Sequence, residues 1–174
     1  MKHVTLTIAI LVLCVLGRAQ ADDPEAQMAA LKKFVETHKA DALAKGWELR
    51  SCGGFGTRQV SAISFTYQSG LSGTNSDAIN EEIVRRWPEI ESLANQSGVT
   101  QAIVVAKGDK SITPVEWQCG LALFFVRNGA GEWLKEYVCH TNIPPISVKE
   151  LQKAYDSQRA AGSSGHEDAA KPQR

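Results

Sequence analysis

The sequence predicts an α+β fold, with a single domain in which a mainly antiparallel sheet of about five strands carries three helices. Helical and strand-like hydrophobic periods follow one another in the order α-ββ-α-βββ-α. Neighbouring strand segments are separated by short turns, which favours antiparallel pairing. Residues 22–160 form this domain, and a chain of about 140 residues suits one domain with its own core.

The first helix is predicted to begin at Pro24 and to end before Gly46. Asp23 supplies a side-chain oxygen for the N-cap, and proline is favoured at the first helical position. Glycine is typical of the position that follows a helix C-terminus. Apolar side chains recur at helical spacing and predict the packed face: Met28, Leu31, Val35 and Ala42.

Two strands are predicted next, at residues 47–52 and 58–68, with the segment SCGGFGTRQ (51–59) between them. The segment does not match a phosphate-binding loop, because G-x-x-x-x-G-K-[ST] is absent and β-like residues follow where such a loop needs a helix N-terminus. Its three glycines allow positive φ angles. We therefore expect a tight connection between two adjacent strands.

The second helix is predicted over residues 77–95. Pro88 lies inside it and is expected to kink it or divide it in two, since proline cannot donate a hydrogen bond to the carbonyl of Val84. The residues that share one helical stripe are Ile79, Ile83, Trp87, Ile90 and Leu93.

The polar segment QSGLSGTNS, residues 68–76, precedes this helix and has no periodicity. Leu71 is its only large apolar residue. A single apolar residue on a flexible polar loop suits contact with a partner, so Leu71 is a candidate contact residue. The alternative is a solvated linker with no role in binding.

Three further strands are predicted at residues 100–107, 114–127 and 132–140, followed by a helix at 148–160. A three-residue hairpin loop from Asn128 to Ala130 places Phe125 opposite Trp133 and Cys119 opposite Cys139. The odd-numbered side chains then face the core: Trp117, Cys119, Leu121, Leu123, Phe125, Trp133 and Tyr137.

The even-numbered face of this hairpin has small residues, Gly120 and Ala122, in its middle. Two explanations stay open. A helix packs on these small residues, which we expect because three helices need surfaces to cover. Alternatively the small residues form the floor of a shallow groove for a ligand or a partner, and the side chains that rim it are Gln118, Glu136 and His140.

The N-terminal residues 1–21 predict a cleaved signal peptide. A basic start is followed by an apolar run, and Ala19 and Ala21 have the A-x-A spacing that signal peptidase requires, which places cleavage after Ala21. We expect an exported protein, periplasmic or extracellular, without a membrane span, because later apolar runs are too short to cross a bilayer. Residues 161–174 are small and polar and predict a disordered tail.

Charge argues against nucleic acid as a partner. Loss of Lys2 and Arg18 with the leader leaves 17 basic and 19 acidic side chains, a net charge of −2. The two signs are interspersed, so the chain lacks the basic patch that nucleic acid or an anionic membrane requires.

The exported chain has three cysteines, which allow one internal disulfide bond and three pairings. The hairpin register favours Cys119 with Cys139, because cysteines opposite each other on neighbouring strands have β-carbons close enough to bond. Cys52 would then be a free thiol.

Motifs for metal, cofactor and catalysis are not found, and we expect none of these sites. C-x-x-C, H-x-x-x-H, G-x-S-x-G and S-x-x-K are all absent. The favoured function is therefore a small exported binding protein that contacts a protein partner, of the inhibitor, immunity or accessory-subunit type. Two alternatives stay open: a thiol-dependent enzyme that uses Cys52 with His38 or His140, and a carrier of a small apolar ligand in the groove at Gly120.

Overall fold

The computed structural model describes residues 23–54, 61–118, 120–136 and 144–163, which form one six-stranded sheet and three helices. The predicted α+β class is confirmed, with one strand more than expected. In chain order the elements are helix α1 (Pro24–Ala44), strands β1 (Glu48–Gly53) and β2 (Ser61–Gln68), helix α2 (Ser76–Gln96), strand β3 (Gln101–Lys107), a 3-10 turn (Val115–Trp117), strands β4 (Leu121–Arg127), β5 (Trp133–Glu136) and β6 (Ile146–Ser147), and helix α3 (Val148–Ser163).

The six strands lie side by side in the order in which they occur in the chain. All neighbouring pairs are antiparallel except β2 and β3, which are parallel because helix α2 returns the chain to the starting end of the sheet. The carboxyl ends of β2 and β3 therefore meet at the same end of the sheet. The connections that follow these two strands start next to each other.

Helix α1 begins and ends as predicted. The Asp23 carboxylate accepts a hydrogen bond from the Glu25 backbone N–H at 3.0 Å, and Pro24 is the first helical residue. Gly46 has a φ of +83°, which glycine adopts without strain. Three of the four predicted stripe residues, Leu31, Val35 and Ala42, are buried, and the fourth, Met28, is partly exposed near the start of the helix.

Helix α2 is one continuous helix, so of the two predicted effects of Pro88, a kink or a division, the division was wrong. Proline leaves the carbonyl of Val84 without its usual intrahelical donor. The side-chain amide of Gln152 in α3 donates to this carbonyl at 3.0 Å. A donor from another helix thus replaces the hydrogen bond that Pro88 cannot make.

We predict that Gln152→Ala lowers the free energy of unfolding by about 1–2 kcal/mol, because it leaves a buried carbonyl without a donor. The change should cost clearly less in a Pro88→Ala background, where the restored N–H of residue 88 donates to Val84. Urea denaturation of the four proteins in this cycle measures both costs. Equal costs in the two backgrounds would contradict the pairing.

All three helices pack on one face of the sheet, which we call the helix face. Trp87 of α2 contacts the ring of Phe125, with centroids 4.3 Å apart, and lies 5.3 Å from the ring of Trp133. The strand residues that form the core lie on this face: Leu49, Ile63, Phe65, Tyr67, Ala102, Val104, Ala106, Leu123, Phe125 and Trp133. We call the opposite side the second face.

The β4–β5 hairpin has a five-residue loop, so its predicted register was wrong. Phe125 lies opposite Lys135, and Trp133 lies opposite Arg127. Asn128 holds the longer loop, because its side-chain oxygen accepts from the N–H groups of Ala130 and Glu132 at 3.0 and 2.9 Å. The odd-numbered residues Leu123, Phe125 and Trp133 still face the core, since a shift by an even number keeps the face.

The expected helix over Gly120 and Ala122 was also wrong, because the helices bury the larger side chains on the other face. Ala122 is exposed. Gly120 has a φ of +94°, and a β-carbon there would lie 2.4 Å from the backbone oxygen of Ala106. This glycine permits a close approach of two backbones.

Candidate functional site

Two connections at the carboxyl ends of β2 and β3 pack together, and we call residues 69–75 and 108–118 the double loop. Two backbone hydrogen bonds join them at their base. Ser69 N–H donates to the carbonyl oxygen of Lys107, the last residue of β3, at 2.8 Å, and Asp109 N–H donates to the carbonyl oxygen of Leu71 at 2.9 Å. The parallel pairing of β2 and β3 brings these two segments to one end of the sheet. The two segments are therefore one structural unit, although about 40 residues of sequence separate them.

Two glycines allow the closest approach within the double loop. A β-carbon on Gly73 would lie 2.5 Å from the backbone oxygen of Trp117, and one on Gly108 would lie 2.6 Å from the backbone nitrogen of Gly73. The buried side chain of Thr113 accepts a hydrogen bond from Gly73 N–H at 2.9 Å. Side chains at either glycine would separate the two segments.

Side-chain hydrogen bonds hold the outer part of the double loop. The Ser72 hydroxyl donates to the carbonyl of Ile112 at 3.2 Å, and the Gln118 amide donates to the carbonyl of Thr113 at 3.0 Å. The chain then closes a 3-10 turn, in which Trp117 N–H donates to Pro114 at 2.9 Å. This part of the surface is consequently well ordered by its own bonds.

Three large apolar side chains project from the double loop into solvent, and we call them the apolar triad. They are Ile112, Val115 and Trp117, which are 57%, 80% and 54% exposed. The other three tryptophans of the chain are at most 2% exposed. The prediction that Trp117 faces the core was wrong, because Pro114 and the 3-10 turn delay the start of β4 until Leu121.

Leu71 does not form an exposed tip. It is partly buried and packs against the core. Its N–H donates to the Ser69 hydroxyl at 3.0 Å, and that hydroxyl donates to the Glu82 carboxylate of α2 at 2.5 Å. Leu71 thus belongs to the base of the double loop, and the residues that the sequence analysis missed are the apolar triad.

Charged side chains around the apolar triad are few and of both signs. Glu116 is exposed between Val115 and Trp117, and Asp109 and Lys110 precede Ile112. Hydrogen bonds from the Ser111 hydroxyl and N–H lower the pKa of Asp109. The surface around the triad therefore has no strong net charge, and apolar contact dominates its chemistry.

The other candidate contact residues are Gln118, Glu136 and His140. Gln118 lies in the double loop, where its amide nitrogen is used in the bond to Thr113. Glu136 lies at the end of β5, opposite Phe124. His140 lies outside the described residues. The groove that these three side chains would rim therefore stays a prediction.

Cys52 is half-buried in strand β1, and its thiol donates to the carbonyl of Ala62 at 3.4 Å. Burial raises the pKa of this thiol. His38 lies on α1 against the ring of Phe34, with centroids 4.3 Å apart. The environment of Cys52 disfavours the thiolate that a nucleophile needs.

We predict that Cys52 reacts slowly with iodoacetamide at pH 7.5, at least about ten-fold slower than in the unfolded chain, because burial disfavours the thiolate. Mass spectrometry of the labelled Cys52 peptide over time measures the rate, with the protein in urea as control. Fast alkylation at pH 6 would contradict this and favour the thiol enzyme. The predicted Cys119–Cys139 bond lies outside the described residues and stays a prediction.

Comparison with protein-family models, with curated proteins and with solved structures finds no match for this chain. Within residues 23–54, 61–118, 120–136 and 144–163, no group of three or more His, Cys, Asp or Glu side chains is placed to hold a metal ion. Over these same ranges, no helix has the length and apolar character that a membrane span requires. The candidate site is therefore identified from the geometry and exposure of its own residues.

Proposed function

We propose that this chain is a small exported binding protein that contacts a protein partner through the apolar triad of the double loop. The observation that carries the proposal is the exposure of Trp117 together with Ile112 and Val115 on a segment held by internal hydrogen bonds. Contiguous exposed apolar residues on a folded domain are typical of interaction sites. The signal-like leader supports export.

The fixed shape of the double loop supports binding of a protein. A segment that is already ordered loses little conformational entropy when it binds. Tryptophan is among the residues that most often dominate binding energy, and it does so where a polar rim surrounds it. Here Ser72, Thr74 and Glu116 provide polar groups beside the triad. The complementary partner surface is an apolar pocket that accepts an indole ring.

The test is capture of partners from the envelope or culture medium of the source cells by purified protein. The wild-type chain should retain one stoichiometric protein, and Trp117→Ala should weaken its binding by about 10- to 100-fold. Leu43→Ala is the matched control, because Leu43 is a 63% exposed leucine on α1 and outside the double loop. Equal binding by wild type and Trp117→Ala would refute the proposed surface.

Tryptophan fluorescence gives a second measurement on the same complex. Trp117 is the only tryptophan with more than 2% exposure, so acrylamide quenching of the free protein reports mainly on this residue. A bound partner that covers Trp117 should shift the emission to shorter wavelength and reduce quenching. A complex in which quenching is unchanged would place the interface elsewhere.

A second candidate, carriage of a small apolar ligand, is favoured by a different cleft. It has a volume of about 490 Å³ and lies between α1 and the turn from α2 to β3. This volume is within the range of small-molecule sites. Native mass spectrometry of protein purified from its own source tests it, with Ala30→Phe as a variant that fills the cleft. The lining residues are Gln27, Ala30, Ser61, Ser97, Gly98, Val99 and Thr100.

A further inference from the structure

The second face of the sheet is apolar in its middle, although the three described helices, α1, α2 and α3, pack on the other side. Strand β3 is apolar on both sides, because Ala102, Val104 and Ala106 enter the core while Ile103 and Val105 point to the second face. Val126 and Leu134 lie opposite each other on the same face. Strands that are apolar on both sides are typical of sheets covered on both faces. Ala62, Thr66 and Ser147 are buried on this face, whereas its larger apolar side chains in the described strands are partly exposed.

The strand register places two opposite charges at the two ends of one row across the second face. The row runs from Arg50 through Ser64, Ile103 and Phe124 to Glu136. Ile103 is its middle position. Arg50 is largely exposed and makes one contact of 3.4 Å with Glu48. A row that is basic at one end, acidic at the other and apolar at its centre is complementary to its own reversed copy.

We propose that a second copy of this chain covers the second face, so that the protein is a homodimer of two stacked sheets. A two-fold axis parallel to the strands reverses the row in the second copy. Each Arg50 then lies over Glu136 of the other copy, and the two Ile103 side chains meet near the axis. Stacked sheets lie about 10 Å apart with nearly aligned strands, a separation that an arginine and a glutamate can bridge together.

The size of the face fits this partner. Six strands at about 4.8 Å spacing and up to eight residues at about 3.3 Å rise give a footprint of at most about 24 Å by 26 Å. With side chains standing out from it, such a footprint is of the order of the roughly 800 Å² per partner that a stable interface buries. The double loop lies at the end of the sheet, so the dimer leaves it uncovered in both copies. The dimer is therefore independent of the proposed function.

Sedimentation equilibrium of the purified protein tests the dimer through a charge swap. The wild-type chain should be dimeric at micromolar concentration. Arg50→Glu and Glu136→Arg should each weaken the dimer by about ten-fold or more, because each places like charges together twice. The double variant Arg50→Glu with Glu136→Arg should restore an affinity within about three-fold of wild type. Lys149→Glu, an exposed change on α3, is the control and should leave the dimer intact.

Several results would overturn the inference. A wild-type protein that stays monomeric at about 100 μM would show that another segment of the chain, or solvent, occupies this face. A dimer that tolerates both single changes, or one that the double variant does not restore, would show that the copies meet elsewhere. Circular dichroism of each variant confirms that the fold is retained, so that loss of the dimer is not loss of structure.

Discussion

Gly73→Ala should lower the free energy of unfolding by about 2–4 kcal/mol and remove binding through the apolar triad. The new β-carbon would lie 2.5 Å from the backbone oxygen of Trp117 and 2.8 Å from the side chain of Thr113. Neither neighbour is the flexible end of a long side chain. Relief of the clash must therefore move one segment of the double loop away from the other, with loss of the hydrogen bond from Gly73 to Thr113.

Gly70→Ala is the matched control for this change, because Gly70 lies in the same segment and has open space where its β-carbon would be. We expect it to change stability by less than about 0.5 kcal/mol. Urea denaturation and partner capture of the two variants measure the two effects. A Gly73→Ala protein with wild-type stability and binding would show that the double loop adjusts without cost.

Trp87→Ala is expected to have the largest effect on stability, about 3–5 kcal/mol, because it leaves a large cavity in the core. Trp87 is 2% exposed and lies between helix α2 and the rings of Phe125 and Trp133. Its indole N–H has no hydrogen-bond partner among the described residues. The cost is therefore one of lost apolar packing and not of a lost hydrogen bond.

Two further variants test this interpretation, one at position 87 and one at an exposed tryptophan. Trp87→Phe should cost clearly less than Trp87→Ala, about 1–2 kcal/mol, because it keeps an aromatic ring and removes an unsatisfied buried donor. Trp117→Ala removes the same side chain from an exposed position and should cost less than about 0.5 kcal/mol. Thermal and urea unfolding measure all three. A large cost for Trp117→Ala would show that Trp117 stabilises the fold.

Local signals in the sequence were sufficient to predict the helices. The start of α1 depends on Asp23 and Pro24, which act on the first turn alone, and its end depends on Gly46. The buried faces of α1 and α2 follow from residues three or four positions apart. Such signals need no knowledge of the rest of the chain, so they could be used correctly without it.

The hairpin register and the continuity of α2 depend on side-chain hydrogen bonds that the local sequence pattern does not show. The side chain of Asn128 holds a five-residue hairpin loop where a three-residue loop was expected, and this moved Trp133 opposite Arg127. Val84 obtains its donor from Gln152, a residue 68 positions away in the sequence, so α2 continues through Pro88. Each error arose where a side chain supplies a bond that the local pattern lacks.

The sequence pointed to only one of the two segments that form the candidate site. The segment around Leu71 was recognised, but Leu71 packs inward while Trp117, which was assigned to the core, is exposed. A usable signal was present in Pro114, which is unfavourable in the interior of a strand and here precedes a 3-10 turn. The pairing of the two segments could not be predicted, because it follows from the parallel contact of β2 with β3.

The parallel pairing of β2 and β3 also determines when the double loop forms during folding. These strands meet only after the chain has closed a loop that contains the whole of α2, and closing a long loop costs entropy before its contacts compensate. The two segments of the double loop are brought together by that event and not before it. An unfolded chain consequently has no assembled triad surface, and the three apolar side chains share one surface only after β2 and β3 have paired.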